Sequence, residues 1–144
     1  MRYPFDRLVR ADAVVVGSGI GGLTAALAMA PRHVLVVTKG DPGGGSTPWA
    51  QGGIAAAVAA DDSPREHAAD TMAVGGGRND PDAVEVLTSA AAERVAALEA
   101  LGVRFDTAPD GGLLLSREGG HHRRRVLHSG GDATGAEMMR ALVR

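Results

Sequence analysis

A chain of 144 residues is long enough for one domain with a core of its own, or for one piece of a larger domain. The absence of cysteine excludes disulfides, thiolate metal sites and a cysteine nucleophile, and a formal net charge of -2 offers no overall polycation for nucleic acid. Lys39 is the only lysine beside many arginines, and the Gly- and Ala-rich, aromatic-poor composition specifies no function by itself.

The first predicted element is a short β-branched strand, Ala13 to Gly17, that runs into Gly17-x-Gly19-x-x-Gly22 and then into a helix over Leu23 to Ala30. In that context the glycines have separate tasks. Gly17 permits a tight turn, Gly19 lets the backbone approach a pyrophosphate, and Gly22 lets helix and strand pack closely. Phosphates then lie at the helix N-terminus, where unpaired N–H groups and the dipole favour negative charge. Gly17, Ser18, Gly19, Ile20, Gly21 and Gly22 are therefore candidate dinucleotide-binding residues. A leader peptide or membrane anchor is the competing reading, because Arg2, Arg7 and Arg10 precede an uncharged run and Ala28-Met29-Ala30 mimics a cleavage site. Against it stand Asp6, Asp12 and the glycines of the run, each costing a helix roughly 1 kcal/mol relative to alanine. With no targeting segment, the expected location is the cytoplasm and no membrane partner is expected.

A second strand, His33 to Thr38, completes a βαβ unit whose strands pair in parallel. Where many dinucleotide folds place an acid for the ribose hydroxyls, this chain has Thr38-Lys39. A cation there points to a phosphorylated ribose and an NADP-dependent dehydrogenase. Two other readings remain: Lys39 near the phosphates or adenosine of another cofactor, or a solvated lysine. The Gly-rich loop from Gly40 to Gly53 is long for a compact domain and holds the sole tryptophan, so it reads as ligand-facing, with a flexible linker as the alternative. Its Ser46, Thr47, Gln51, Gly52 and Gly53 suit the polar edge of a flavin, and the same residue types also make ordinary turns.

Three helix starts follow. Ser63-Pro64-Arg65-Glu66 reads as a capping box with Pro at the first helical position. Asp80-Pro81 opens a longer helix with an apolar stripe of Val84, Leu87, Ala91, Val95, Leu98 and Leu101, stopping at Gly102. Thr134-Gly135-Ala136-Glu137 reads as a further capping box whose helix runs on to Arg144. Between these, Asp110-Gly111-Gly112 reads as a hairpin turn into Leu113-Leu114-Leu115. One parallel strand pair does not make a stable doubly wound sheet, so the chain reads as α/β: a Rossmann-like βαβ unit with following helices, an incomplete portion of a larger doubly wound domain.

The densest polar cluster is Arg117-Glu118-Gly119-Gly120-His121-His122-Arg123-Arg124-Arg125, followed by His128. A carboxylate among cations beside a Gly-Gly turn suits binding of an anionic substrate, and a cation-lined cleft would hold Glu118 ionised, fit to pair with an ammonium group or accept a proton. A solvated basic loop is the alternative. Nucleic acid is disfavoured by the lack of interleaved aromatics, and the adjacent histidines lack metal-ligand spacing.

Together these segments resemble the L-aspartate oxidase family, flavoproteins similar to the flavin subunits of succinate dehydrogenase and fumarate reductase. The resemblance rests on Val16 to Leu23, Val37-Thr38-Lys39-Gly40, Gly45 to Ala56, Asp70-Thr71, Gly102 to Asp106, Arg117 to His121 and Gly131 to Gly135. It implies that residues 1–144 are the N-terminal part of an FAD-binding domain, without the capping and C-terminal domains. It also implies that FAD contacts Lys39, Ser46, Thr47, Pro48, Trp49, Ala50, Gln51, Gly52 and Gly53 besides the glycine fingerprint, with Lys39 at the adenosine end. Succinate-type subunits carry a flavin-linked histidine where this chain has Ser46, which implies noncovalent FAD. They carry an apolar residue where this chain has Glu118, which implies that Glu118 pairs with the ammonium of L-aspartate and helps its proton leave. The implied reaction moves a hydride from the aspartate α-carbon to flavin N5, giving iminoaspartate, with O2 or fumarate as final acceptor and quinolinate synthase, hence NAD biosynthesis, downstream. The substrate-clamping arginine and histidines of the family lie beyond this length, so the chain alone is expected to be inactive. A truncated remnant that binds FAD without catalysis is the further alternative.

Overall fold

The computed structural model describes residues 9–144. Arg2, Asp6 and Arg7, which bear on the leader reading, lie outside the described residues. Strand β1 (Ala13–Val16), helix α1 (Ile20–Ala28) and strand β2 (Val34–Val37) form the expected βαβ unit, with β1 and β2 parallel in the register Ala13↔Val34 to Val16↔Val37. The helix starts at Ile20, inside the fingerprint and earlier than its apolar run indicates, because Gly21 and Gly22 themselves take helical conformation. Val14 stays exposed and Val16 is 84% exposed, so one face of this two-stranded sheet is bare of the cover that parallel sheets normally carry.

After a 3-10 turn (Thr47–Trp49), the chain adds what hydrophobic periodicity did not reveal: a small antiparallel sheet. Its strands are β3 (Ile54–Ala55), β4 (Leu115–Ser116) and β5 (Val126–Leu127), ordered β3-β5-β4. Two-residue strands are too short to show an alternation. The Asp110 turn into this sheet forms as expected: Gly111 adopts φ +86°, Asp110 Oδ1 accepts from Gly112 N–H, and Thr107 bridges Leu113.

Helix α2 (Pro64–Val74) starts at Ser63, whose Oγ accepts the Glu66 N–H at 3.2 Å. Helix α3 (Pro81–Ala100) starts at Asp80, whose carboxylate accepts from Asp82 and Ala83 N–H. It ends in a Schellman arrangement: Gly102 N–H donates to Glu99 O, Val103 N–H donates to Leu98 O, and Gly102 has φ +94°. The stripe on α3 needs correction. Val84 and Val95 are buried and Ala91 and Leu98 pack on the core, but Leu87 is 70% exposed, Leu101 is exposed, and Thr88 is buried instead. Thr88 returns its hydroxyl to the Val84 carbonyl, which lets a polar residue take an inward position.

Helix α4 (Thr134–Leu142) corrects two expectations. Thr134 is no N-cap: its Oγ1 accepts the Ser129 N–H, and Ala133 flanks the helix without a side-chain cap. Glu137 bonds Arg104 N–H and Arg140 rather than closing a box. The helix is formed to Leu142, with Val143 as its C-cap in helical conformation. One core gathers Ala56, Val95, Val103, Phe105, Leu127, Met138 and Ala141, while Leu23, Met139 and Leu142 form a second. Helix α4 thus contributes to both. Among the described residues, no helix is long and apolar enough to cross a membrane.

Candidate functional site

The carboxyl ends of β1 and β2 open into a cleft of about 560 Å³. Val16, Gly17, Ser18 and Gly19 form one wall, and Val37, Thr38, Lys39, Gly40 and Asp41 form the other with Gly44 and Gly45. Ligands of open α/β sheets bind at this edge. Each fingerprint glycine fits its task. Gly17 has φ +107°, a conformation that side chains rarely adopt, and a Cβ on Gly22 would collide with the Gly17 carbonyl oxygen. Gly19 flanks the start of α1, which has no side-chain cap and no acidic residue in its first turn. The arrangement fits a bound pyrophosphate.

Two hydroxyls organise this edge. Ser18 Oγ donates to Thr38 Oγ1 at 2.9 Å, joining the glycine turn to the end of β2. Thr47 Oγ1 accepts the Ile20 N–H at 3.3 Å, placing the Gly-rich loop over the N-terminus of α1. That loop is seated from behind by α4. Gly135 N–H donates to Ala50 O at 3.0 Å, and a Cβ on Gly135 would collide with the Thr47 carbonyl oxygen and lie 2.8 Å from Ala50 Cβ. Lys39 lines the cleft, Thr47 overhangs it, and Gly53 lies against β5. Trp49 is 81% exposed, and Pro48 sits beside it in the 3-10 turn with Ser46 as N-cap.

The basic cluster divides. Arg125 is fully buried, with Nε and Nη2 on the two Asp62 oxygens at 2.7 and 2.8 Å and Nη1 on Asp70 Oδ2 at 2.7 Å. It is a core cross-link between β5 and the start of α2, which corrects its reading as part of a substrate cleft. Asp70 also takes the His122 backbone N–H and contacts the His122 ring. Burial opposes ionisation of Asp70, but the His122 and Arg125 hydrogen bonds prevail and hold its carboxyl at about 2. Asp62 is likewise held below its ordinary range, burial being outweighed by Arg125 and the Ser63 N–H. Arg123 turns outward to Glu66 at 3.3 Å and Asp61 at 3.6 Å. His67 is buried with Nδ1 lacking a partner, and burial together with nearby Arg125 lowers its pKa.

Among the described residues, the contacts of Glu118 are with a histidine and a serine and not with these arginines. Its Oε1 meets His128 Nε2 at 2.7 Å and Ser116 Oγ at 3.4 Å. His128 in turn abuts the Gly-rich loop, since a Cβ on Gly53 would lie 2.9 Å from His128 Nε2. Among the described residues, no group of three or more acidic or histidine side chains is placed to hold a metal.

Comparison with known proteins identifies the family and its cofactor. The FAD binding domain family matches residues 12–144. This chain belongs to that family. An FAD binding domain agrees with the glycine geometry, and the cofactor is FAD, so Lys39 is not a mark of NADP. The L-aspartate oxidase of Streptomyces coelicolor is 54% identical over 137 residues, covering 94% of this chain and 24% of the relative. The chain spans about a quarter of the length of such relatives. Its fold matches the Mycobacterium smegmatis Sdh1 complex with a TM-score of 0.84 at 39% identity, over 92% of this chain and 23% of that one. It matches a variant of the E. coli quinol fumarate reductase FrdA with a TM-score of 0.86 at 30% identity, over 94% and 24%. The expected resemblance and the α/β fold class hold. Three positions whose contacts the sequence did not disclose, Thr38, His128 and Gly135, lie against Ser18, Glu118 and the Gly-rich loop respectively.

Proposed function

We propose that residues 1–144 are the N-terminal part of the FAD-binding domain of an L-aspartate oxidase, which oxidises L-aspartate to iminoaspartate. The observation that carries the reading is the Glu118 carboxylate, half exposed and bonded to His128, whose Nε2 also faces Gly53 of the Gly-rich loop. Both of its contacts fall on Oε1, so acceptor capacity remains for an incoming ammonium. Glu118 pairs with the aspartate amino group and orients the α-carbon towards the cofactor. The loop from Ser46 to Gly53 and the glycine turn hold FAD without a covalent link, Ser46 offering no imidazole for one. When bound, FAD supplies the hydride acceptor.

The carboxylate clamp and turnover belong to the further length that the relatives carry, and the proposed acceptors are O2 or fumarate. The product feeds quinolinate synthase and NAD biosynthesis in the cytoplasm. The test is Glu118→Gln in the full-length flavoenzyme. Aspartate oxidation should slow by about tenfold or more, as for loss of a hydrogen bond to a charged group, with fumarate reduction much less affected. Equal loss of both reactions would remove the amine-specific role.

A further inference from the structure

We propose that His128 is a positioning residue that sets the Glu118 carboxylate against the cofactor loop, and that it thereby contributes to preference for an amino-bearing substrate. The inference rests on the reading of Glu118 as the partner of the substrate ammonium.

The contact has a direction. As a hydrogen bond to a carboxylate oxygen acceptor, the 2.7 Å approach of His128 Nε2 to Glu118 Oε1 uses Nε2–H as the donor. The backbone beneath the imidazole is anchored. His128 follows directly on β5, the central strand of the antiparallel sheet, whose Val126 and Leu127 are buried. Its carbonyl accepts the Asp106 N–H at 2.8 Å.

The same ring nitrogen also faces Gly53. A Cβ on Gly53 would lie 2.9 Å from Nε2 and collide with Val126 Cγ1, so only glycine at 53 leaves the imidazole its place. Glu118, by contrast, is a long side chain, half exposed, two residues beyond β4. Without a fixed donor it would sample several rotamers, an entropy that substrate binding would have to remove. His128 removes it in advance and links its position to Gly53. Ser116 Oγ, at 3.4 Å from Glu118 Oε1, is a weaker second support.

The experiment uses the full-length flavoenzyme with FAD bound and compares His128→Phe, His128→Gln, Glu118→Gln and the double variant Glu118→Gln/His128→Phe. Steady-state KM and kcat are measured for aspartate oxidation and for fumarate reduction, with flavin absorbance as the check on loading. His128→Phe should raise the KM for aspartate about tenfold relative to its effect on fumarate. His128→Gln, which keeps a donor, should recover most of that loss. Adding His128→Phe to Glu118→Gln should cost nothing more, because the two residues act as one unit.

An additive loss in the double variant overturns the proposal. So does equal loss for both substrates that His128→Gln fails to rescue, which assigns His128 to packing alone. A selective effect of Glu118→Gln with none from His128→Phe overturns the proposal while leaving the Glu118 reading intact. No effect from Glu118→Gln removes that reading, and the proposal with it.

Discussion

Gly135 of α4 lies directly against the carbonyl of Thr47, so close that a Cβ has no room between them. Thr47 is also the residue whose hydroxyl receives the first N–H of α1. The position of the Gly-rich loop over the dinucleotide helix therefore depends on a glycine far away in sequence.

Replacing Gly135 by Ala should displace that loop. Overpacking of this kind costs about 1–3 kcal/mol, and FAD affinity should fall along with the melting temperature. A flavin absorbance titration combined with a thermal melt checks this. Gly43→Ala, where a Cβ meets nothing, is the control. A lowered melting temperature with unchanged FAD affinity would show that the seat of the loop does not reach the cofactor.

The Thr47 hydroxyl can be tested alone. Thr47→Val keeps the shape and removes the acceptor for Ile20 N–H, so binding should weaken by about 1 kcal/mol, as for one ordinary hydrogen bond. Faster FAD dissociation in stopped flow is the expected sign.

Arg125 is expected to matter for stability and not for chemistry. Arg125→Met leaves Asp62 and Asp70 buried without their cation, a change that typically costs about 3–5 kcal/mol. Urea unfolding should show it. Arg125→Lys should rescue only partly, because an ammonium lacks the planar fork that spans both oxygens of Asp62. If Arg125→Met unfolds at the wild-type midpoint, the cross-link is not a determinant of stability.

Acid should destabilise the fold along a defined course. Asp70 and Glu137 are both held at about 2, Asp70 against its own burial by the His122 and Arg125 hydrogen bonds, and Glu137 chiefly by Arg140. The folded state thus binds fewer protons than the unfolded chain between the ordinary carboxyl values of 3.8 and 4.5 and about pH 2. Their stabilisation is complete above that window and is lost as pH falls through it. His67, lowered by burial and by Arg125, adds a decline that starts as pH drops below its ordinary value of 6.5. Denaturant midpoints measured from pH 7 to pH 2 should fall throughout, and Asp70→Asn should flatten the lowest part. A wild-type midpoint that rises on acidification would contradict these assignments.

The sequence disclosed most where local chemistry decides structure. The fingerprint glycines, the Asp80 cap, the Gly102 stop and the Asp110 turn all act within a few residues and appear as expected, while Ser63 caps its helix without closing the box, its own N–H going to Asp62 and the Glu66 carboxylate to Arg123. What it concealed depends on partners distant in the chain. Arg125 looks like a member of a basic loop until Asp62 and Asp70 are brought to it. Thr134 has the spacing of an N-cap, but the Ser129 N–H takes its hydroxyl. Glu118 was legible as an unusual acid, whereas its support by His128 required the sheet that two-residue strands did not advertise.

Helix α4 sends Met138 and Ala141 into one apolar cluster and Met139 and Leu142 into the other. During synthesis on the ribosome these side chains emerge after every other member of both clusters. The nucleotide-binding unit and the antiparallel sheet can each take shape earlier, but they are clamped together only when α4 arrives. A nascent chain stalled before residue 134 should therefore be open to proteases between its halves, and one stalled well beyond residue 142 should resist them.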